Sequence, residues 1–166
     1  MVRRILIAGI GGQGIAFAGQ LLGEALSIKG LYSCVHNSYG AEVRGGIVKS
    51  SIIYDMRPIL NPFTDRYDIY LILHDHAWRS VRVDVGRSYI ADKDLAYGEA
   101  PRDLSIDFKP FQGIAYTHGL PINLLALGYL ARIGVIEVEW LEEAIKRRGR
   151  NIDLNLKAVR YFQSTY

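Results

Sequence analysis

The sequence predicts an α/β fold of three layers, with a mostly parallel sheet and C-terminal helices. Two observations support this fold class. A short apolar run ends in glycines and leads into apolar residues at helical spacing, and β-branched segments then alternate with further helical ones. The chain has 166 residues, of which 49% are hydrophobic and 22% charged, which is typical of a globular domain and excludes a disordered protein. We expect a single domain over residues 1–166.

Five strands and one helix are predicted in the first half of the chain. Residues 3–8 form a short apolar run, which is typical of a strand buried on both faces. The apolar residues from Ile15 to Lys29 recur at helical spacing, and Gly30 follows where a C-terminal cap belongs. Four more strands are predicted at residues 31–36, 47–54, 68–74 and 88–91.

Three helices are predicted at the end of the chain. From Asp92 to Thr117 the pattern is weak and prolines interrupt it, so we expect short strands and turns there. Helical spacing then covers residues 122–133, 138–148 and 154–162. No run approaches the roughly 18 apolar residues of a membrane span, and the apolar run near the N-terminus is too short for a signal peptide. We expect a cytoplasmic protein without a membrane partner.

Charge and cysteine content exclude several function classes. The net charge of +3 is too small to indicate a nucleic-acid partner. Cys34 is the only cysteine, so the chain cannot form an internal disulfide, a four-cysteine zinc site or an iron–sulfur cluster of the usual kind. Because Cys34 lies among apolar residues of a predicted strand, a buried, inert thiol is favoured over a nucleophile.

The first glycine segment, residues 9–14, matches the pattern G-x-G-x-x-G directly after a predicted strand and before a helix. This order is typical of a Rossmann-like fold. Glycines let the backbone turn tightly, and the free amides at the start of the helix favour an anion. The predicted ligand contacts of this segment are Gly9, Gly11, Gly12, Gln13 and Gly14.

Dinucleotide binding requires a further feature that the sequence lacks. An acid at the end of the second strand, roughly 20 residues on, should hold the ribose hydroxyls. The predicted strand ends at His36 and Asn37 instead, and the nearest acid and arginine, Glu42 and Arg44, lie further along. An NAD(P)-type enzyme is therefore the weaker alternative. A tight turn without a ligand and a site for another phosphate-bearing ligand both stay open.

The second glycine segment, residues 38–46, is unusual because packing alone does not require three glycines, an acid, an arginine and an aromatic residue in one loop. Arg44 is a candidate anion contact, since a guanidinium grips carboxylate or phosphate with two hydrogen bonds, and Glu42 and Gln13 would orient the ligand. A surface turn with a local Glu42–Arg44 pair is the alternative. The predicted contacts are Ser38, Tyr39, Gly40, Glu42, Arg44, Gly45 and Gly46. Both segments should meet beyond the carboxyl ends of the strands.

A resemblance to a known family extends over nearly the whole chain. GIGGQGI followed by SYGAEVRGG resembles the gamma subunit, or gamma domain, of the 2-oxoacid:ferredoxin (acceptor) oxidoreductases, which include the pyruvate, 2-oxoisovalerate, 2-oxoglutarate and indolepyruvate enzymes. The stretches LPINLLALGYLARIGVIEVEWLEEAIKRR and LNLKAVR are similar to that family too. The two glycine motifs in this order are more specific than either alone.

The resemblance implies a place in a larger enzyme that decarboxylates a 2-oxoacid oxidatively, passing electrons to ferredoxin and the acyl group to coenzyme A. Thiamine diphosphate, Mg and the Fe–S clusters are expected on alpha, beta and delta-type partner subunits. The gamma-type domain is expected to be Rossmann-like and to help form the coenzyme A side of the active region. The single cysteine agrees, because this chain cannot hold the clusters.

The isolated chain is therefore expected to be inactive and to self-associate through the surface meant for its partners. No catalytic residue is predicted in it. Two alternatives stay open beside the gamma-subunit interpretation: an autonomous Rossmann-like enzyme of the NAD(P) type, and an assembly module that binds no ligand.

Other polar and aromatic clusters have simpler interpretations. The triplet His74-Asp75-His76 could chelate a metal, but a turn at the end of a strand is favoured, because no third ligand is marked. The basic residues around Arg147 and Arg148 match the dipole of a helix end. Tyr161, Phe162 and Tyr166 could form a docking surface or cap the core.

Overall fold

The computed structural model describes residues 2–42, 45–81, 84, 87–94 and 104–164. Within these residues six strands and six helices follow one another. They are β1 (Arg3–Ile10), α1 (Ile15–Ile28), β2 (Tyr32–Tyr39), β3 (Ile47–Asp55), β4 (Ile69–Ile72), α2 (Asp75–Arg79), β5 (Ser88–Asp92), β6 (Ile106–Lys109), α3 (Phe111–His118), α4 (Ile122–Arg132), α5 (Val138–Arg148) and α6 (Ile152–Ser164).

The strands form one sheet in the order β2-β3-β1-β4-β5-β6. Strands β1, β4, β5 and β6 are parallel to one another, whereas β3 is antiparallel to both of its neighbours. Five of the six strands therefore point the same way, and the predicted α/β fold with a mostly parallel sheet is confirmed. At one end of the strands, β1, β2 and β4 finish and β3 begins. Both glycine segments lie at this end of the sheet, which we call the glycine edge.

Strand β1 is buried on both faces, as its apolar run predicts. Ile5 and Ile7 belong to a core shared with α1 and the C-terminal helices, while Leu6 and Ala8 face a second core on the opposite side. The second core is rich in aromatic rings, with Tyr70 and Tyr89 stacked at 4.7 Å between centroids. Helix α1 packs on the first face against β1, β2 and β3. The sheet thus holds the start of α1 rigidly at the glycine edge.

The structure corrects the expectation of only short strands and turns between Asp92 and Thr117. Strand β6 lies there, but so does the eight-residue helix α3. Pro110 occupies the N-cap position, where a proline is tolerated, and the missing cap is supplied by Asp92, whose Oδ2 accepts from the amide of Gln112 at 2.6 Å. Since Asp92 is 20 residues away along the chain, local pattern gave no sign of this helix start.

The structure also differs from the predicted elements at β2 and α2. Strand β2 extends to Tyr39, so Ser38 and Tyr39 belong to a strand and not to the loop that was expected from residue 37. Helix α2 was not predicted because its five residues are too few for a periodic pattern. None of the described helices is long and apolar enough to cross a membrane.

Candidate functional site

The two glycine segments touch at the glycine edge. The amide of Gly11 donates to the carbonyl oxygen of Gly46 at 2.9 Å. The second segment is closed at its base by the amide of Gly40, which donates to the carbonyl oxygen of Ile47 at 2.7 Å. The described residues of both segments therefore lie at the same end of the sheet, as predicted. Gly9 still belongs to β1, and Ser38 and Tyr39 still belong to β2, so only the remaining described residues lie beyond the strands.

Gln13 fastens the first glycine segment to two strands. Its side-chain Oε1 accepts from the amide of Ile10 at the end of β1, and its Nε2 donates to the carbonyl oxygen of Leu73 just after β4, each at 2.9 Å. A β-carbon on Gly9 would lie 2.4 Å from Gln13 Oε1, so glycine is needed where this side chain crosses. The Gln13 amide thus serves as a structural clamp between the ends of β1 and β4.

Gly14 joins the segment to α1 and to the C-terminal half of the chain. It is the N-cap of α1 in the left-handed conformation, with φ 72°. Its carbonyl oxygen accepts from Asn123 Nδ2 at 3.0 Å, and a β-carbon on Gly14 would lie 2.5 Å from that nitrogen. No side chain caps the start of α1. Because the helix dipole is positive there, the segment presents a partial positive charge to the glycine edge.

The described residues of the second glycine segment are open to solvent except Gly46, which is buried. Tyr39 is 68% exposed, and Ser38, Gly40 and Glu42 are exposed as well. Gly45 and Gly46 return the chain to β3, with Gly46 packed closely against the backbone of Glu42. Arg44, the predicted anion contact, lies outside the described residues, so the predicted Glu42–Arg44 pair does as well.

A lysine that sequence reasoning overlooked lies beside this segment. Lys49 in β3 donates from Nζ to the carbonyl oxygen of Ser80, the C-cap of α2, at 2.6 Å. Burial lowers the pKa of Lys49 from its usual value. A lysine within IVKSSIIY, a run rich in β-branched residues, was the signal that could have identified it. Asn123 was overlooked too, since nothing in the helical pattern of α4 relates it to Gly14.

The triplet His74-Asp75-His76 begins α2. His74 is the N-cap, and its Nδ1 accepts from the amide of His76 at 3.2 Å and lies 2.8 Å from an Asp75 carboxylate oxygen. These contacts give the triplet a capping role at the helix start. Among the described residues, no group of three or more His, Cys, Asp or Glu side chains is placed to hold a metal ion.

Other candidate residues have structural roles. Phe162 is 1% exposed within the core, which supports the capping interpretation for that ring, while Tyr166 lies outside the described residues. Arg148 makes a two-bond ion pair with Glu24 of α1, both contacts at 2.7 Å. The expectation that Cys34 is buried was wrong, since its side chain is only half-buried. Cys34 lies on β2, which is an edge strand of the sheet.

Comparison with known proteins matches most of this chain to one family. The family described as Pyruvate ferredoxin/flavodoxin oxidoreductase matches residues 4–161, which include both glycine segments and Asn123. The chain belongs to this family. The resemblance to its gamma subunits is confirmed by the relatives below, and the NAD(P)-type alternative is not favoured.

The relatives are subunits of oxidoreductases that act on 2-oxoacids. The 2-oxoglutarate synthase subunit KorC of Archaeoglobus fulgidus is 35% identical over 158 residues, covering 94% of this chain and 83% of that protein. The gamma subunit of a keto/oxoacid ferredoxin oxidoreductase from Geobacter sulfurreducens has a structure with a TM-score of 0.79 and 30% identity, covering 96% of this chain and 95% of that one. This chain is accordingly a gamma-type subunit of a multi-subunit 2-oxoacid:ferredoxin oxidoreductase.

The same fold also occurs as part of a longer chain. The 2-oxoglutarate:ferredoxin oxidoreductase of Magnetococcus marinus, solved with 2-oxoglutarate, coenzyme A and succinyl-CoA bound, has a TM-score of 0.87 at 20% identity and covers 98% of this chain but 30% of that one. At this identity the likeness concerns the fold alone. It shows that the six-stranded unit occurs within a larger polypeptide as well as in separate subunits.

Proposed function

We propose that this gamma subunit contributes its glycine edge to the coenzyme A side of a cytoplasmic 2-oxoacid:ferredoxin oxidoreductase. The observation that carries the proposal is the contact of two glycine segments at the uncapped, positive start of α1. Such an edge favours the phosphate groups that coenzyme A carries. Arg44, within the second segment, is the proposed anion contact, with Glu42 and Gln13 as polar neighbours.

The catalytic cofactors are proposed to reside on partner subunits of the alpha, beta and delta types. A four-cysteine cluster does not fit this chain, since Cys34 is its only cysteine. Thiamine diphosphate and Mg would likewise be held by partners, and ferredoxin would accept the electrons. The isolated subunit, as a single domain, is expected to be inactive.

The substrate is proposed to be a dicarboxylic 2-oxoacid of the 2-oxoglutarate type. The support is the KorC relative, which is named as a 2-oxoglutarate synthase subunit and matches along most of both chains. The test is a comparison of 2-oxoglutarate, pyruvate and 3-methyl-2-oxobutanoate as substrates of the purified complex. A preference for pyruvate would contradict this part of the proposal.

A second candidate is an assembly module whose glycine edge binds no ligand. The specific observation in its favour is that Gln13 and Asn123 use their amide groups to hold the first segment together internally. In that case the glycines would be required only for the turn, and kinetics toward coenzyme A would not depend on the second segment.

The first experiment is co-expression of the tagged full chain with candidate alpha, beta and delta subunits. The proposal predicts that chains carrying thiamine diphosphate and iron–sulfur clusters co-purify with it, measured by mass spectrometry and by iron and thiamine content. Failure of every such chain to co-purify would overturn the subunit assignment. Titration of the isolated chain with NAD and NADP completes the test, and saturable NAD binding would favour the autonomous enzyme.

A further inference from the structure

Lys49 occupies an unusual position for a lysine, on the internal strand β3 between β2 and β1. In register its neighbours are Ser38 on β2 and Ala8 on β1. Ala8 belongs to the core on the face opposite α1, and side chains directly opposite each other in a sheet share a face. Because both neighbours are small, they leave room beside the long side chain of Lys49.

Two cavities adjoin the Lys49 side chain. One, of about 210 Å³, lies beside the first three residues of the second glycine segment and is lined by Ser38, Tyr39, Gly40, Ile47, Lys49 and Ser80. The other, of about 200 Å³, extends toward Tyr67 and Tyr70 and is also lined by Asp65, so an anion is expected in the first cavity and not in this one. Lys49 and Ser80 line both, so the ammonium group stands between them.

The ammonium group of Lys49 has unused hydrogen-bonding capacity. It carries three N–H donors, and among the described residues only the carbonyl oxygen of Ser80 accepts from it. Burial lowers its pKa, and no described carboxylate contributes an opposing shift. A desolvated cation is costly, and an anion bound at its side reduces that cost.

We propose that Lys49, together with the hydroxyl group of Ser38, forms a pocket for one oxyanion, a phosphate or carboxylate group, beside the first residues of the second glycine segment. Lys49 donates two hydrogen bonds as a point charge, and Ser38 lies directly opposite on the neighbouring strand. The Ser80 hydroxyl donates to the carbonyl oxygen of Ala77 at 2.7 Å and so does not supply a further donor.

The size of the cavity beside Ser38 limits which ligands it can hold. Pockets for whole drug-sized ligands have volumes of about 300–1,000 Å³. At about 210 Å³ this one suits a single anionic group with the remainder of the ligand outside. The site is separate from the start of α1, so it adds a second anion contact to the glycine edge.

The alternative is that Lys49 only neutralises the carbonyl end of α2, as cations do near helix ends. The two accounts differ in their response to added anions. We therefore test the isolated full chain, labelled with ¹⁵N, by titrating it with inorganic phosphate and with acetate at constant ionic strength. The proposal predicts saturable shifts of the amide signals of Ser38, Gly40, Lys49 and Ser80.

Three variants make the titration specific. Lys49→Met removes the charge at similar length and should weaken anion affinity at least tenfold, whereas Lys49→Arg keeps the charge and should retain binding. Lys157→Met, at an exposed position of α6, is the matched control and should bind as the wild type does. Equal affinity in wild type and Lys49→Met, or no saturable shift at these four residues, would overturn the proposal.

A second measurement uses the wild-type chain. It tests the proposal even if the Lys49→Met variant does not fold. The pKa of Lys49, followed through its side-chain ¹³Cε signal, should rise when phosphate or acetate is bound, because an anion stabilises the charged form. An unchanged titration curve in saturating anion would contradict the pocket.

Competition distinguishes the two sources of the oxyanion. Displacement of inorganic phosphate by coenzyme A, but not by 2-oxoglutarate, would assign the pocket to a phosphate of coenzyme A; the reverse would assign it to a substrate carboxylate. If neither competes, the pocket takes a free anion. None of these measurements needs partner subunits, so their outcome is independent of the proposed role in the complex.

Discussion

Asn123 and Gly14 are 109 residues apart in sequence and joined by one hydrogen bond, from Asn123 Nδ2 to the Gly14 carbonyl oxygen at 3.0 Å. The bond links α4 to the turn that begins α1. Asn123 is 7% exposed, so its amide is shielded from water. The C-terminal helices therefore determine the geometry of a segment that lies at the other end of the chain.

Replacing Asn123 with alanine should lower the free energy of unfolding by about 1–2 kcal/mol, because a buried hydrogen bond is lost. Gly14 keeps one partner, the amide of Ala18 at 2.9 Å, which limits the loss. Urea denaturation measures the change. Asn155→Ala is the matched control, since Asn155 makes an exposed bond to the Arg150 carbonyl oxygen, and its loss should be smaller. Equal losses would contradict the role given to Asn123.

Gly14→Ala should be more destabilising than Gly12→Ala. Both residues have positive φ, 72° and 95°, so each alanine suffers strain of about 1–2 kcal/mol. At Gly12 the new β-carbon meets nothing within 4 Å, whereas at Gly14 it displaces Asn123. The double variant Asn123→Ala with Gly14→Ala should cost less than the sum of the two single changes, as expected for residues in contact. Strict additivity would show that they act independently.

Asp92 should make stability depend on pH in an unusual direction. Burial raises the pKa of Asp92, although the amides of Asp94 and Gln112 oppose the shift. The folded state thus binds the proton more tightly than the unfolded state, so the contribution of Asp92 becomes less favourable as the pH rises through its folded pKa. The free energy of unfolding should be measured for wild type and for Asp92→Asn between about pH 4 and pH 7. The difference between the two, wild type minus variant, should fall as the pH rises. A slope of opposite sign would refute the assignment.

The ion pair between Glu142 and Arg160 should make stability decrease as the pH falls, which is the usual direction for a carboxylate. A hydrogen bond from Arg160 lowers the pKa of Glu142 below its usual 4.5. The stabilisation is complete above that value and is lost as the pH falls through the lowered pKa. Because the Arg160 side chain is 52% exposed, the pair contributes under about 1 kcal/mol.

Glu142→Gln should therefore be less stable than wild type at neutral pH and converge with it in acid. The comparison variant is Glu143→Gln, which removes a more exposed helical pair with Arg147. Its effect at neutral pH should be about 0.3–0.5 kcal/mol, as for other pairs at this spacing. Thermal unfolding at several pH values measures both, and a difference for Glu142→Gln that persists in strong acid would argue against the ion pair.

The sequence pattern was sufficient to predict those elements whose structure is determined by residues close together in the chain. Residues 3–8 and the helix after Ile15 were predictable because apolar spacing and glycines mark their ends. Helix α3 was not, since Asp92 caps it from outside. The pairing of Lys49 with Ser38 and Ala8 depends on sheet register, which no single segment encodes.

The same distinction applies to the glycine edge. Both segments were predicted from their motifs, and their meeting followed from the parallel sheet. The clamp made by Gln13 was not predicted, because it requires Leu73 to end up beside Ile10. Gln13 was also predicted to orient a ligand; its amide group makes two hydrogen bonds within the turn, and the role toward a ligand stays a prediction.

The Michaelis constant for coenzyme A in the purified complex tests the proposed role of the glycine edge most directly. Arg44→Ala should raise the Michaelis constant for coenzyme A at least tenfold. The Michaelis constant for the 2-oxoacid should stay unchanged, and the variant should still co-purify with the partner subunits. The matched control is Arg57→Ala, an exposed arginine that follows β3 at the opposite edge of the sheet and should leave all three unaltered. An unchanged constant for coenzyme A in an intact Arg44→Ala complex would contradict the account and favour a ligand-free assembly module.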